Sequence, residues 1–317
     1  MKKSISVIIR ILVSFGLLGL LSWIMKDDFG KIWGTLRNVK TELIGIIMLL
    51  IVLNVSMQAY RLKIIFKGED LDITLKNALR LTFIGYFFNN FMPTAVGGDI
   101  VKAHYASKVN GEKLKSYASV LMDRFIGLYT FIMIAAAALV VYRGDVDLPA
   151  IKPVVIGLMI AGLAGYFVVT HKNVAIFLEN IFSKIKMLGL GKKLNDVYSI
   201  VQDYRNRKDV IAKSLVTSFL TQCVYFFIIF LIFTALRNPV SLGDIFLIMP
   251  IVIFISMIPS LGGLGVREGA VVAFFTPITG KDIAFAASLM MLAGLFFISL
   301  IGGIIYFWWN IRGVDKK

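Results

Sequence analysis

The chain has 317 residues, 58% of them hydrophobic and 17% charged, with a mean hydropathy of +0.82 and a formal charge of +15. Soluble domains sit at roughly 45–50% apolar and about 25% charged, so both values are displaced toward the membrane class. A single cysteine and two histidines exclude a disulfide framework and a zinc site of the usual His/Cys type, so neither metal nor cofactor is expected.

In chain order, the apolar residues fall into runs of roughly 18–25, the length a helix needs to cross a hydrocarbon core of about 30 Å. The first run, 5–25, follows Lys2 and Lys3 without a clean small-residue cleavage site, which reads as a retained span rather than a signal peptide. Full spans are predicted over 5–25, 41–60, 117–142, 153–170, 214–236 and 283–309. Two further apolar segments break early. Residues 81–92 run into Pro93-Thr94-Ala95-Val96-Gly97-Gly98-Asp99, and residues 245–258 into Pro259-Ser260-Leu261-Gly262-Gly263-Leu264-Gly265-Val266-Arg267-Glu268. Proline removes a backbone donor and paired glycines loosen the helical ladder, so each segment is expected to be a re-entrant hairpin, near 81–108 and near 245–279.

These eight hydrophobic segments predict an all-α polytopic membrane protein of six full spans plus two hairpins. With the N-terminus in the cytoplasm and each hairpin returning to its own side, the inside segments hold 23 Lys and Arg and the outside segments 9. That asymmetry places both termini inside. The order span, span, hairpin, span then occurs twice, starting inside in 1–142 and outside in 143–317, which is two halves of inverted topology. Between them, 171–213 mixes Phe177, Ile181, Phe182, Ile185 and Leu188 with Lys184, Lys186, Lys192 and Lys193, the pattern of a basic cytoplasmic linker lying on an anionic leaflet.

Paired broken segments at corresponding places in inverted halves point to a transporter's binding site. Pro93, Thr94, Gly97, Gly98 and Lys102 recur as Pro259, Ser260, Gly262, Gly263 and Arg267, with Gly265 alongside. Half-helix N-termini carry partial positive charge, so the glycines would let backbone N–H groups approach an anion. Lys102, Arg124 and Arg267 would add charge, and Asn90, Thr94 and Ser260 neutral hydrogen bonds. Asn89 and Asn90 either satisfy broken backbone or line a headgroup path. Asp99 and Glu268 are placed to neutralise the neighbouring cation or to carry protons. The adjacent Asp123 and Arg124 point in different directions on a helix, so each is expected to have another partner. Arg61 is read as a snorkelling anchor at a span end, and the tryptophans as an aromatic belt.

No Ser-His-Asp set, HExxH or phosphate-loop motif occurs, so no catalytic residues are expected. No basic stretch is interleaved with exposed aromatics, so nucleic acid is not an expected partner.

The segments 85–102, 118–128 and 259–269, three motifs in order, resemble the flippase-like transmembrane region of lysylphosphatidylglycerol synthetases and their stand-alone relatives. The resemblance covers essentially the whole chain. It implies movement of an anionic or aminoacylated phospholipid of phosphatidylglycerol type between leaflets of the cell membrane. The sequence stops at Lys317, a few residues past its last predicted span, so it departs from the full synthetases and the soluble lysine-transferring domain is expected to be absent, which reads as a transporter rather than an enzyme. Relatives are similar to proteins found beside polyprenyl-phosphate glycosyltransferases, which keeps a polyprenyl-phosphate lipid as an alternative cargo. An accessory subunit serving a separate lipid synthase is the other reading.

Overall fold

In a computed structural model, the structure describes residues 26–92, 96–141, 204–258, 260 and 262–311, with isolated helical positions within 16–23 and 153–164. Among the described residues there are nine α-helices and no strand. They are α1 (Phe29–Arg37), α2 (Thr41–Gly68), α3 (Leu75–Phe91), α4 (Gly97–Asn110), α5 (Lys113–Val141), α6 (Lys208–Ala235), α7 (Leu242–Ile255), α8 (Val266–Thr279) and α9 (Lys281–Ile311). Four of them, α2, α5, α6 and α9, are long and apolar enough to cross a membrane. At Gly68, Lys113, Lys208, Lys281 and Ile311 their ends lie beyond the predicted runs, while the other ends fall within a residue of them. The expected spans 5–25 and 153–170 and the 171–213 linker lie largely or wholly outside the described residues.

At the two broken segments the chain forms pairs of short helices that pack on each other, α3 with α4 and α7 with α8. In each pair the first helix starts with a hydroxyl cap. Thr74 Oγ1 accepts from Asn77 N–H at 3.2 Å, and Ser241 Oγ accepts from Asp244 N–H at 3.1 Å. Helix α3 begins at Leu75, six residues before the apolar run, because that cap starts it. Helix α4 ends at Gly111, whose φ of 77° suits the left-handed position after a helix.

The packing pairs recur in chain order. α2 runs along α6. α4 lies on α5 as α8 lies on α9, and α3 on α9 as α7 on α5. The pairs α2–α3 and α6–α7 repeat the pattern. The middle of the α2–α6 contact is polar, where Asn54 Nδ2 donates to the Thr221 carbonyl at 2.7 Å, each residue lying midway along a 28-residue helix.

One end of the bundle is basic. There, Tyr204 is fully buried and its hydroxyl bonds to Ser119 and to the Ile65 carbonyl, both at 2.9 Å. Burial pushes this phenol well above its ordinary pKa. Around it, Arg207 pairs with Asp70 at 2.9 Å and Lys115 Nζ reaches the Glu69 carbonyl at 3.2 Å. At the opposite end, Lys40 N–H donates to the Ala235 carbonyl at 3.0 Å and Arg237 Nε to that of Asn38 at 3.1 Å.

The α3–α9 seam is tight enough to exclude side chains. A Cβ on Gly302 would collide with the Phe83 carbonyl oxygen, and one on Gly303 would come within 2.9 Å of the Phe87 ring. Gly302→Leu should therefore lower stability by about 1–3 kcal/mol, the usual penalty of overpacking. Exposed Gly45, with nothing near its Cβ position, should accept leucine without loss. Thermal unfolding of both variants in one detergent checks this pair.

Candidate functional site

Three helices contribute charge to one buried cluster. Arg61 of α2 donates through Nε to Asp123 of α5 at 2.8 Å and through Nη1 to Ser218 of α6 at 2.7 Å. Lys102 of α4 sits 3.4 Å from Asp99 and 3.9 Å from Asp123. Arg124 of α5 donates to Asp99 at 2.6 Å. Each carboxylate thus faces two cations, and Lys102 bridges the two acids. The expectation that Asp123 and Arg124 find separate partners holds. Arg61, in contrast, is not a snorkelling anchor: it is 5% exposed and lies in the centre of this network. Its reach inward is set by position, seven residues before the end of α2 or about 10 Å along the axis.

The cluster lines a chamber of about 350 Å³, walled by Asn54, Gln58, Tyr86, Asn89, Gln222 and Tyr225 besides the five charged residues. Gln58 donates to Asn54 Oδ1 at 2.9 Å and to Tyr86 Oη at 2.8 Å. Gln222 is 6% exposed and, with the Tyr225 hydroxyl, makes no hydrogen bond among the described residues. A second chamber of about 230 Å³ shares Asn54, Tyr86, Tyr225, Ile253 and Leu295 with the first and holds Arg267 and Ser256 in apolar surroundings. A groove of about 670 Å³ runs beyond the α3–α9 seam, lined by Phe87, Phe91, Phe296, Leu300 and Trp308.

Gly262 of the second break packs against Asn89 and Asn90 of α3, and Asn89 also lines the charged chamber. The would-be Cβ of Gly262 lies 2.9 Å from the Asn89 carbonyl, and that of Gly98 collides with the Gly85 carbonyl. Two of the helix N-terminal donors proposed for an anion already have protein acceptors. Asn89 Oδ1 takes the Gly98 N–H at 2.8 Å, and the buried Glu268 carboxylate takes the Gly265 N–H at 2.6 Å. Gly98 and Gly262 sit in close backbone approach, and Asn89 both accepts the Gly98 N–H and lines the chamber. Asn90 bonds to Ser299 and to the Leu295 carbonyl of α9, pinning the hairpin to the last span. Glu268 also pairs with Arg267, whose Nε is buried without a partner. Gly97 is buried at the start of α4. Gly263 and Gly265 have φ near 82° and 81°, a conformation that favours glycine. The Ser260 hydroxyl bonds the Ile258 carbonyl at 3.2 Å. Pro93, Thr94 and Pro259 lie outside the described residues.

Of the candidates drawn from sequence, Asn89, Asp99, Lys102, Asp123 and Arg124 share the first chamber, whereas Arg267 faces the second. Sequence reading missed Asn54, Gln58, Tyr86, Gln222 and Tyr225 and misjudged Arg61. A signal existed. Asn54, Gln58 and Arg61 stand at i, i+4 and i+7 of α2, and Ser218, Gln222 and Tyr225 repeat that spacing on α6. Polar residues at this spacing form one stripe along an otherwise apolar helix.

An all-helical bundle with four candidate spans and a compensated ion cluster between them defines a membrane protein with an internal polar site. The chain belongs to the family described as the lysylphosphatidylglycerol synthase TM region, whose model matches residues 7–303. It is similar to a UPF0104 membrane protein of Methanothermobacter thermautotrophicus, 24% identical over 290 residues, which cover 84% of each chain. It is likewise similar to the UPF0104 membrane protein PH1989 of Pyrococcus horikoshii, 27% identical over 303 residues, covering 84% of this chain and 87% of the relative. No solved structure matches.

Removing one partner from a buried ion network leaves an uncompensated charge. Asp123→Asn should cost about 3–5 kcal/mol of stability, while Arg61→Met with Asp123→Leu should recover most of that loss. Melting temperatures of the single and double variants decide it.

Proposed function

We propose that this protein moves a phosphate-bearing phospholipid headgroup, anionic or aminoacylated and of phosphatidylglycerol type, between the leaflets of the cell membrane. The observation that carries this reading is the chamber itself. Three cations and two carboxylates are held within a bundle whose outer faces are apolar. Charges at such depth are expensive and mark substrate paths far more often than structural contacts.

The apolar groove beyond the α3–α9 seam fits lipid tails that remain in the bilayer while the headgroup enters the chamber. Ser299 lines the groove and accepts a hydrogen bond from Asn90. The recurrence of packing pairs supports two inverted halves, 1–142 and 143–317, each contributing one hairpin. The two chambers on either side of Asn54, Tyr86 and Tyr225 suit access from one leaflet and then the other. In this scheme Arg267 receives the phosphate in the second chamber after Lys102 and Arg124 hold it in the first. The basic end, with Lys63, Lys67, Lys113 and Lys115, faces the cytoplasm by the positive-inside rule, and both termini are assigned to that side.

The family's description also favours a second reading, in which the protein serves a separate lipid-modifying synthase without moving lipid alone. Proteoliposomes holding only this protein distinguish the two. Labelled phosphatidylglycerol, lysyl-phosphatidylglycerol and a short polyprenyl phosphate are scored for leaflet accessibility. Movement of one of them above empty liposomes, reduced at least tenfold in Arg124→Gln, is the expected result. No movement of any by folded protein would transfer support to the synthase-partner reading.

A further inference from the structure

We propose that Glu268 takes up one proton each time Arg267 engages a phosphate in the second chamber, so that each lipid crosses the membrane with a proton. This rests on the headgroup-translocation reading and supplies its coupling ion.

Glu268 is fully buried in the first turn of α8. Its Oε2 accepts the Gly265 N–H at 2.6 Å and its Oε1 accepts from Arg267 Nη2. Among the described residues these are its only partners. Arg267 is 9% exposed, and its buried Nε–H has no acceptor. It carries the only charge of the chamber's described lining, whose other titratable groups are the phenols of Tyr86 from α3 and Tyr225 from α6. α8 packs on α7 and α9. The charged residues of those two helices, Asp244 and the pair Lys281 and Asp282, sit in their first turns, about 16 Å along the axes from the level of Glu268.

A phosphate engages a guanidinium best through two parallel N–H groups. Nε and Nη2 form one edge of the Arg267 fork; Nε–H is open and Nη2–H is held by Glu268. A phosphate entering the chamber meets the open donor and completes the fork by drawing Nη2–H away from the carboxylate. Glu268 then keeps the Gly265 N–H alone. A buried carboxylate that has lost its cation neutralises instead of staying charged. The proton comes from water and the new O–H bond forms at Oε1, the oxygen Arg267 has left. Departure of the phosphate reverses both steps. The first chamber needs no proton. Asp99 faces Lys102 and Arg124, and Asp123 faces Arg61 and Lys102, so a phosphate drawing on Lys102 leaves each acid another cation.

The test uses the full chain in phosphatidylcholine liposomes, with the membrane potential clamped by potassium and valinomycin. Labelled phosphatidylglycerol, lysyl-phosphatidylglycerol and a short polyprenyl phosphate are each tried in their own liposomes. One pH unit is held across the membrane, and the steady-state share of label in each leaflet is read. One proton per lipid permits enrichment of up to about tenfold per pH unit. The lipid that moves should gather at least threefold in the leaflet facing the alkaline side. Glu268→Gln keeps an amide oxygen for the Gly265 N–H. In that variant label should still move, but to equal shares. A trapped pH dye gives a second reading that needs no variant: lipid added to the outer leaflet should acidify the lumen beyond empty liposomes. Equal shares in the unaltered protein, with label moving, overturn the inference and leave translocation standing. Enrichment that persists in folded Glu268→Gln overturns it too. Absence of movement of every lipid by folded protein overturns the translocation reading along with it.

Discussion

Everything in this structure turns on keeping five charged side chains inside an apolar helical bundle. An isolated ammonium, guanidinium or carboxylate at that depth is unfavourable by several kcal/mol even after relaxation. Arg61, Lys102 and Arg124 therefore converge on Asp99 and Asp123, and the helices follow. α2, α4 and α5 must approach within reach of one another at these residues. Their apolar faces then pack around the cluster, with Ala59, Leu62 and Ala103 buried on one side and Met122 and Ile126 on another. The network is extended but not closed, since Gln222 and Tyr225 leave polar groups facing the chamber.

The broken segments set the position of Lys102 and Asp99. A continuous helix through residues 92–97 would carry α4 away from α5. The break turns the chain back so that α4 lies on both α3 and α5. Ending two helices inside the bundle exposes backbone donors, and the two hairpins satisfy them differently. In the first, Asn89 caps α4 from the preceding helix, which leaves Asp99 available to Lys102 and Arg124. In the second, Glu268 caps its own helix and takes Arg267 as well. The acids near the start of α4 and α8 thus do different work.

The class of fold was legible because it depends on local quantities. Run lengths of apolar residues marked the four long helices, and proline with paired glycine marked both breaks. The ion pairs were half legible. Adjacency of Asp123 and Arg124 announced that each needs its own partner, but only the fold joins Arg61 to Asp123 across 62 positions. Arg61 was misread because a cation near a span end most often snorkels; here α2 continues to Gly68 and carries that residue inward. The uncharged lining was hidden for a different reason. Asn, Gln and Tyr are tolerated in many membrane helices, and their meaning appears only when the stripe 54, 58, 61 on α2 faces 218, 222, 225 on α6.

The most direct measurement is an electron cryomicroscopy map of the protein in nanodiscs rich in phosphatidylglycerol. Headgroup density is expected in the first chamber, its phosphate within hydrogen-bond distance of Lys102 or Arg124 and its tails in the groove beyond α3 and α9. A chamber filled only by its own side chains, with lipid confined to the outer faces of the bundle, would contradict it.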